Sequence, residues 1–409
     1  MSNKIDNAIA RSASAASHLV HTGSKFEFQK AGKLNLKKSH NHVEHRACKF
    51  NVVNPAAQPS SALASGSSVF TDYRITASEP LNGITIVNTL QCDPSFVGTP
   101  GPITSSNVWD TIDRVQILLE NGSIVLTEIS GAAMEAYHFS LNETQWRAIN
   151  NGMTGCNTNQ QAASLDASES TEIFIPIFFD PLSSNEIAIS ALSAPVTVRI
   201  YWRSGTYLNV PHELDITSTS LMPNQYQYDK SVRSKMFAKL MGSTPVNFRY
   251  PRQGKQELSA SITPGTPLEF RLSGVHGLIT ELTLQVEVAG VTVEIDSFDL
   301  LDESGQTMLG TRLKTRFVLA SQRPKHDVYI QAGKSAKYVK IPISDSNTEA
   351  HSGAGQLNAY IVSSGNNMLS FTYVHPTGNT DAVTASIKVF YSSVSTLEVK
   401  SGVCSIQHS

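Results

Sequence analysis

The stretch TEIFIPIFFDPLSSNEIAISALSAPVTVRIYW, residues 171–202, decides the fold class of this 409-residue chain. It divides into three strand-like segments, 173–179, 186–190 and 196–202, separated by polar or proline-containing turns. Apolar and polar residues alternate in the last segment, and a period of two places successive side chains on opposite faces of a sheet. The first segment is apolar at nearly every position, so we expect both its faces to be covered. The stretch predicts one wall of a β-sandwich and contains no nucleophile, acid–base pair or metal-ligand set.

The composition is typical of an all-β protein with many turns, since charged residues make up only 16% of the chain. The length predicts two domains of ~100–200 residues, each able to bury a core without disulfides or metals. Four cysteines lie far apart without CxxC spacing, and we interpret them as free thiols of a reducing compartment. We recognise no secretory signal and no apolar run of about 18 residues that would span a membrane.

Positive charge is concentrated in the first 50 residues, where nine Lys and Arg outnumber three acids. This segment carries a net charge of +6, so the remainder carries −8. Together with the Pro/Ser/Ala-rich segment 55–68, this pattern predicts an extended basic arm, and such asymmetry usually reflects a partner. A merely solvated arm is the alternative. The candidate anion- or membrane-contacting residues are Lys25, Lys30, Lys33, Lys37, Lys38, Arg46 and Lys49.

The two halves of the chain follow one plan. The hairpin DRVQILLENGSIVL at 113–126, with an Asn-Gly turn that accepts positive φ, is echoed by VEIDSFDLLDESGQTML at 293–309. The segment EIFIPIF at 172–178 is echoed by KYVKIPI at 337–343. The period of roughly 165–185 residues is too long for a solenoid and indicates a duplicated sandwich of about eight strands, a jelly roll.

The sequence therefore predicts an all-β fold of two jelly-roll β-sandwiches in tandem, with a small helical insertion at 131–150 and an extended N-terminal arm. A short helix is also predicted at 228–240. The predicted bounds are 1–68 for the arm, 69–215 for the first roll, 216–258 for the inter-roll linker and 259–409 for the second roll.

Four stretches, in this order, carry a family resemblance. They are FIPIFF (174–179) with NEIAISAL (185–192) and VTVRI (196–200), DKSVRSKMFA (229–238), SGAGQLN (352–358) and VFYSSVSTLEVKSG (389–402). Together they resemble the double jelly-roll major capsid proteins, the lineage of adenovirus hexon, tectivirus-like phages and large icosahedral DNA viruses. The first stretch lacks the second proline of the family pattern, and the basic segment 23–50 has no counterpart in it.

The resemblance implies a structural viral major capsid protein without enzymatic activity or cofactor, which forms homotrimeric, pseudo-hexagonal capsomers of an icosahedral shell. The expected location is the virion, after synthesis in the host cytoplasm. Expected partners are further copies of the chain, neighbouring capsomers, and penton and minor capsid proteins. The inward-facing arm would contact an internal lipid membrane, at ~1 kcal/mol per Lys or Arg near anionic headgroups, or packaged DNA.

Three alternatives remain open at this point. A minor vertex capsid protein of the same fold would differ in copy number. A carbohydrate-binding or adhesive β-sandwich protein would carry a secretion signal and an aromatic platform. A glycoside-cleaving β-protein would need two carboxylates facing each other across a groove.

Two clusters have metal-ligand residue types without the spacing of a metal site. The run HNHVEHRAC at 40–48 lies in the polar arm, where nothing around it would hold a zinc geometry, which favours a solvated arm. Asp296, Asp299, Asp302 and Glu303 crowd a turn but lack calcium-loop spacing, which favours ordinary turn acids. The sequence contains no GxSxG, HExxH or phosphate-loop motif.

Overall fold

The structure is a computed structural model. It describes residues 47–50, 52–55, 70–76, 81–92, 109, 111–140, 170–177, 194–202, 214–227, 234–235, 237–238, 240–315, 338–341, 361–374 and 380–408.

The first roll consists of two four-stranded antiparallel sheets. Its strands are β1 (Ala47–Phe50), β2 (Phe70–Ile75), β3 (Leu81–Cys92), β4 (Ile112–Leu119), β5 (Ile124–Ser130), β6 (Ser170–Ile177), β7 (Val196–Trp202) and β8 (Leu214–Gln227). One sheet has the order β1-β8-β3-β6 and the other the order β2-β7-β4-β5. A helix, α1 (Gly131–Ser140), follows β5 directly.

The second roll is built in the same way, with a few additional short strands. Its strands are β9 (Val246–Ile262), β10 (Leu268–Arg271), β11 (His276–Val288), β12 (Val291–Thr292), β13 (Glu294–Leu301), β14 (Leu313–Lys314), β15 (Val339–Ile341), β16 (Ile361–Ser364), β17 (Met368–Val374), β18 (Val383–Lys400) and β19 (Val403–His408). One sheet has the order β9-β18-β11-β15, to which β12 and β16 add along β11 and β19 adds along β18. The other sheet has the order β10-β17-β13-β14.

The strand orders of the two rolls coincide, which confirms the predicted tandem jelly-roll fold. The order β1-β8-β3-β6 corresponds to β9-β18-β11-β15, and β2-β7-β4-β5 corresponds to β10-β17-β13-β14. The two hairpins that repeat in the sequence, β4–β5 and β13–β14, occupy equivalent places in this order. The repeated Pro-containing segments likewise correspond to β6 and β15.

The expectation that residues 171–202 form one wall of a sandwich is wrong. Strand β6 pairs with β3, whereas β7 pairs with β2 and β4 in the opposite sheet. In a jelly roll, consecutive strands cross between the two sheets, and periodicity reports which face of a strand is buried without reporting the sheet it joins. The short segment predicted at 186–190 lies outside the described residues.

The core of each roll lies between its two sheets. In the first roll, Ile173 and Ile175 on β6 and Val198 and Ile200 on β7 are buried, as the alternation of β7 predicts. In the second roll the core is a cluster of apolar side chains from both sheets, centred on Leu284, Phe298, Phe371 and Ile387, together with Leu282, Val286, Leu300, Leu369 and Val389.

Several strands extend beyond the bounds predicted from the sequence. Strand β1 pairs with β8 although 47–50 falls in the range assigned to the arm. Strands β8 and β9 both enter the range 216–258 assigned to the linker. The polar-rich sequence LDITSTSLMPNQYQ of β8 lacks a strong apolar alternation, so its pattern does not predict a strand.

The predicted helical insertion is found where the structure describes it, and the segment predicted as a helix at 228–240 is described only in part. Helix α1 covers 131–140 of the expected insertion, and 141–150 lies outside the described residues. Between β8 and β9, the described residues Ser234, Lys235, Phe237, Ala238 and Leu240 have helical backbone.

Gly131 allows α1 to begin immediately after β5. A Cβ atom at this position would lie 2.3 Å from the carbonyl oxygens of both Trp109 and Ile112. Both of those atoms belong to the backbone, so no side-chain movement could relieve the contact.

We expect Gly131→Ala to lower the free energy of unfolding by about 2–3 kcal/mol, because the added methyl group forces a backbone shift. Gly274→Ala is the matched control, since its Cβ would meet Gln256 Oε1 at an ordinary 3.4 Å. Urea unfolding of both variants gives the comparison. Equal stabilities of the two variants would contradict the packing argument.

Candidate functional site: the contact between the two rolls

Most of the arm residues predicted to contact an anionic surface lie outside the described residues. The exception is Lys49, which lies on β1 opposite Gln225 of β8. Cys48 precedes it opposite Tyr226, whereas His40, His42 and His45 lie outside the described residues. The anion-contacting arm therefore stays a prediction. Its other candidate residues lie outside the described residues and are Lys25, Lys30, Lys33, Lys37, Lys38 and Arg46.

Of the four acids expected to be turn residues, Asp302 and Glu303 follow β13 as expected, whereas Asp296 and Asp299 lie on the strand itself. Asp302 Oδ1 accepts hydrogen bonds from the Ser304 hydroxyl (2.7 Å) and from the backbone N–H groups of Ser304 (2.9 Å) and Gln306 (2.8 Å). The Ser304 hydroxyl, followed by the backbone donors, holds the pKa of Asp302 below its usual value. Asp299 instead accepts the Thr307 hydroxyl at 2.6 Å. Within the described part of the chain, no three His, Cys, Asp or Glu side chains are grouped so that they could hold a metal ion.

Helix α1 of the first roll packs on the β9-β18-β11-β15 sheet of the second roll. The Tyr338 hydroxyl, just before β15, donates a hydrogen bond of 2.6 Å to Glu135 Oε2 on α1. Both side chains are buried, and the Tyr338 ring lies edge-on against Phe390 with centroids 6.0 Å apart. A hydrogen bond to a buried carboxylate is strong and directional, so it specifies how the helix sits on the sheet.

An ion pair lies on the same face of this sheet. Lys340 Nζ on β15 contacts Glu281 Oε1 on β11 at 2.8 Å, and the two side chains are 9% and 11% exposed. Glu281 lines a pocket of about 20 Å³ together with Ala133 and Ala136 of α1. Breaking one partner of a buried pair costs about 3–5 kcal/mol because it leaves a buried charge uncompensated. Helix α1 must therefore cover this face of the sheet without separating Lys340 from Glu281.

A second contact joins the β4–β5 turn of the first roll to β19 of the second. Glu120, Asn121 and Gly122 form this turn, and all three have positive φ (50°, 57° and 94°). Glu120 Oε1 accepts the backbone N–H of Cys404 at 3.1 Å. Strand β5 also runs beside β9 and β19. A carboxylate thus satisfies one backbone donor on β19. The positive φ of Glu120 costs about 1–3 kcal/mol, and the contact with β19 helps to hold the residue in that conformation.

The thiol of Cys404 is buried beside this contact. Burial, with a smaller contribution from the Glu120 carboxylate, raises the pKa of Cys404 to about 12. The thiol is therefore protonated at neutral pH and is not a nucleophile in the folded chain.

These two contacts act at different points of the first roll, at α1 and at the β4–β5 turn. Two separated points of attachment restrict rotation as well as separation of the rolls. Their physical effect is to fix the orientation of one sandwich relative to the other. Among the described residues, no helix is long and apolar enough to cross a bilayer.

The residues of this contact were not identified as functional from the sequence. Glu281 lies on β11, whose apolar and polar residues alternate, and the alternation places it outside the core of its own roll, but α1 helps to cover it. Glu135 is a single acid in a small apolar helix, which was the one available signal. Burial of these groups depends on how the rolls dock, which local patterns do not report.

Comparison with known proteins identifies the fold. No family model and no curated protein matches this sequence. The VP54 protein of the virus PBCV-1 shares 14% identity at a TM-score of 0.62, over 89% of this chain and 97% of VP54. The Faustovirus major capsid protein shares 8% sequence identity at a TM-score of 0.56, over 87% of this chain and 91% of that protein. A chain from the structure of the Sputnik virophage shares 9% sequence identity at a TM-score of 0.53, over 88% of this chain and 88% of the virophage chain. The chain therefore has the double jelly-roll fold of viral major capsid proteins, which confirms the resemblance drawn from its sequence.

Removing the Tyr338 hydroxyl tests the contact at α1. We expect Tyr338→Phe to lower the free energy of unfolding by about 1–3 kcal/mol, because Glu135 loses a buried donor. The matched control is Tyr391→Phe, a half-buried residue whose hydroxyl donates a solvent-exposed hydrogen bond of 2.8 Å to the Gly274 carbonyl, and we expect a loss of less than about 1 kcal/mol there. Urea unfolding measures both. An effect at Tyr391 as large as that at Tyr338 would contradict the buried role.

The raised pKa of Cys404 predicts slow alkylation of its thiol. At pH 8, a thiol with a pKa of about 12 has a thiolate fraction about a thousand-fold below that of a thiol with the ordinary pKa of 9.0. We expect iodoacetamide to leave Cys404 unmodified in the folded chain and to modify it in urea, as mapped by peptide mass spectrometry. Comparable labelling rates in the two states would show that the thiol is accessible.

Proposed function

We propose that this protein is a viral major capsid protein that builds homotrimeric, pseudo-hexagonal capsomers of an icosahedral shell. The observation that carries the proposal is the extent of the structural match. Both rolls take part in it, and it spans 89% of this chain and 97% of VP54, a protein whose structure was fitted into a reconstruction of a virus particle. A second structure of the same kind represents the PBCV-1 virus capsid itself. The role is structural, and we propose no enzymatic activity.

The duplicated fold supports a threefold particle. Each chain supplies two rolls of the same strand order, so three chains arranged about a rotation axis present six similar sandwiches in a ring. The inter-roll contact makes each pair of sandwiches rigid, and rigid units transmit their shape to an assembly. Obligate contacts of this kind bury about 2,000 Å² or more, with largely apolar centres.

The basic arm has a separate role in this proposal. We place it on the inner side of the shell, where a net charge of +6 over residues 1–50 would attract anionic lipid headgroups or packaged DNA. The proposed division of the chain into arm, first roll, linker and second roll follows the predicted order. Proposed partners are other copies, neighbouring capsomers, and penton and minor capsid proteins. The mature protein resides in the virion after synthesis in the host cytoplasm.

Purified protein should sediment as a stable particle of three times the 44.3-kDa chain mass, with threefold images in negative stain. Light scattering coupled to size exclusion gives the mass independently of shape. Stable monomers without a threefold particle would overturn the proposed function. In purified virions, a copy number restricted to the vertices would instead identify a minor capsid protein of the same fold.

A further inference from the structure

The outer face of the β2-β7-β4-β5 sheet carries a row of stacked aromatic and arginine side chains. Phe70 on β2 and Tyr201 on β7 are register partners with ring centroids 5.6 Å apart. The Arg114 guanidinium on β4 lies 4.0 Å from the Tyr201 ring centroid, and that of Arg199 on β7 lies 4.5 Å from the Phe70 centroid. We call these four residues the arginine–aromatic ladder.

Acidic neighbours hold the arginines of the ladder in place. Asp72 accepts two hydrogen bonds from Arg199, at 2.7 and 2.8 Å, in a bidentate arrangement. Arg114 contacts Asp113 at 2.9 Å and Glu128 at 3.9 Å. A guanidinium fixed by both a ring and a carboxylate has little side-chain entropy left to lose on association. The ladder is therefore organised before any partner arrives.

The ladder is accessible within a single chain. Phe70 is 48% exposed, and the Arg114 and Arg199 side chains are 38% and 30% exposed. An exposed phenylalanine ring fixed among arginines has apolar area that a partner could cover. The face is thus available for contact and carries residue types that contribute most at protein interfaces.

The fold itself does not require such a ladder. On the equivalent face of the second roll, Ser297 and Thr372 share a hydrogen bond of 2.6 Å. Arg312 lies across this face and donates to the hydroxyls of Ser297 and Ser370, each at 3.1 Å. Hydroxyl groups thus occupy the strands that correspond to those of the ladder. The ladder is a property of the first roll and calls for a separate explanation.

The chemistry of the face favours a protein partner. Both arginines of the ladder are paired with acids, so the ladder itself lacks the unpaired positive charge that binds phosphate. The rings are already covered on one side by guanidinium groups, which occupy a position where a sugar would stack. Aromatic residues and arginine are enriched at protein interfaces, where lysine is depleted, and they dominate the binding free energy.

The size of the face fits part of one subunit contact. Four strands about 4.8 Å apart and about 23 Å long define a face of about 440 Å². A standard interface buries about 800 Å² on each partner, so the face would supply roughly half of one side. It would form the centre of a larger contact.

We propose that the arginine–aromatic ladder is the centre of a contact with a second copy of this chain. This inference rests on the proposed function, because that function makes further copies the partner present at every subunit boundary. In a rotational ring each subunit uses two different surfaces, so a ladder on only one of the two rolls is compatible with the contact.

The test combines Phe70→Ser with Arg114→Ser and measures self-association by sedimentation velocity. We expect association at least ten-fold weaker than in the wild type, as for loss of a central contact pair. The matched control combines Glu269→Ser with Arg271→Ser, two exposed residues on β10, the strand equivalent to β2. We expect this control to assemble as the wild type does. Circular dichroism and thermal unfolding check that both variants fold.

A second measurement uses only the wild-type chain, so it does not depend on how the variant folds. Hydroxyl-radical oxidation of Phe70 and Tyr201 should fall at least about three-fold in the assembled particle relative to chains separated by dilution, because central contacts exclude water.

The outcomes separate this inference from the proposed function. A wild-type chain that stays monomeric overturns both. A wild-type particle in which Phe70 remains as oxidised as in separate chains overturns the ladder contact alone, and leaves the ladder face free for a different partner. Assembly of the folded Phe70→Ser, Arg114→Ser variant at the wild-type level would likewise overturn the ladder contact alone.

Discussion

The buried polar contact between α1 and the second roll is the constraint on which the rest of the structure depends. Apolar burial is non-directional, so two sandwiches joined by a linker could pack against each other in many orientations. The hydrogen bond between Tyr338 and Glu135 forms in one arrangement, and the nearby pair of Lys340 and Glu281 tolerates only a covering that suits two buried charges. Glu120 adds a second point of attachment at β19. Orientation is thereby specified by chemistry as well as by shape.

The architecture was predictable because its determinants are local and repeated. Strand β7 alternates because one of its faces lies against the core and the other carries Arg199 and Tyr201. The turn at Asn121-Gly122 needs positive φ at both residues, and the Asn-Gly pair announces that need in the sequence. The same hairpin recurs at β13–β14, so the duplication could be recognised without any tertiary information. Each of these signals is imposed within a few residues of where it is read.

The parts that sequence reasoning missed depend on contacts between distant segments. The sheet that β6 joins is decided by its pairing with β3, about 90 residues earlier in the chain. Strand β1 is recognisable only through its pairing with β8. Glu281 alternates as an outward residue should, and only the docking of α1 makes that outward position part of a buried contact. A polar residue on an alternating strand therefore marks the non-core face, but it does not show whether that face meets water.

The two rolls share a strand order, but their outer faces carry different residues. Each core must fill the space between two sheets, so both rolls place apolar side chains such as Val198 and Phe371 inward. The outer faces have no such shared requirement, and one carries the ladder of Phe70 and Arg199 while the other carries hydroxyl groups under Arg312. In the proposed capsomer, rotational contacts join unlike surfaces of neighbouring copies, since each subunit meets the next by a different face from the one it offers the last. Because the two rolls share a strand order and differ in their outer faces, each roll can meet a neighbour of different chemistry at an equivalent place in such a ring.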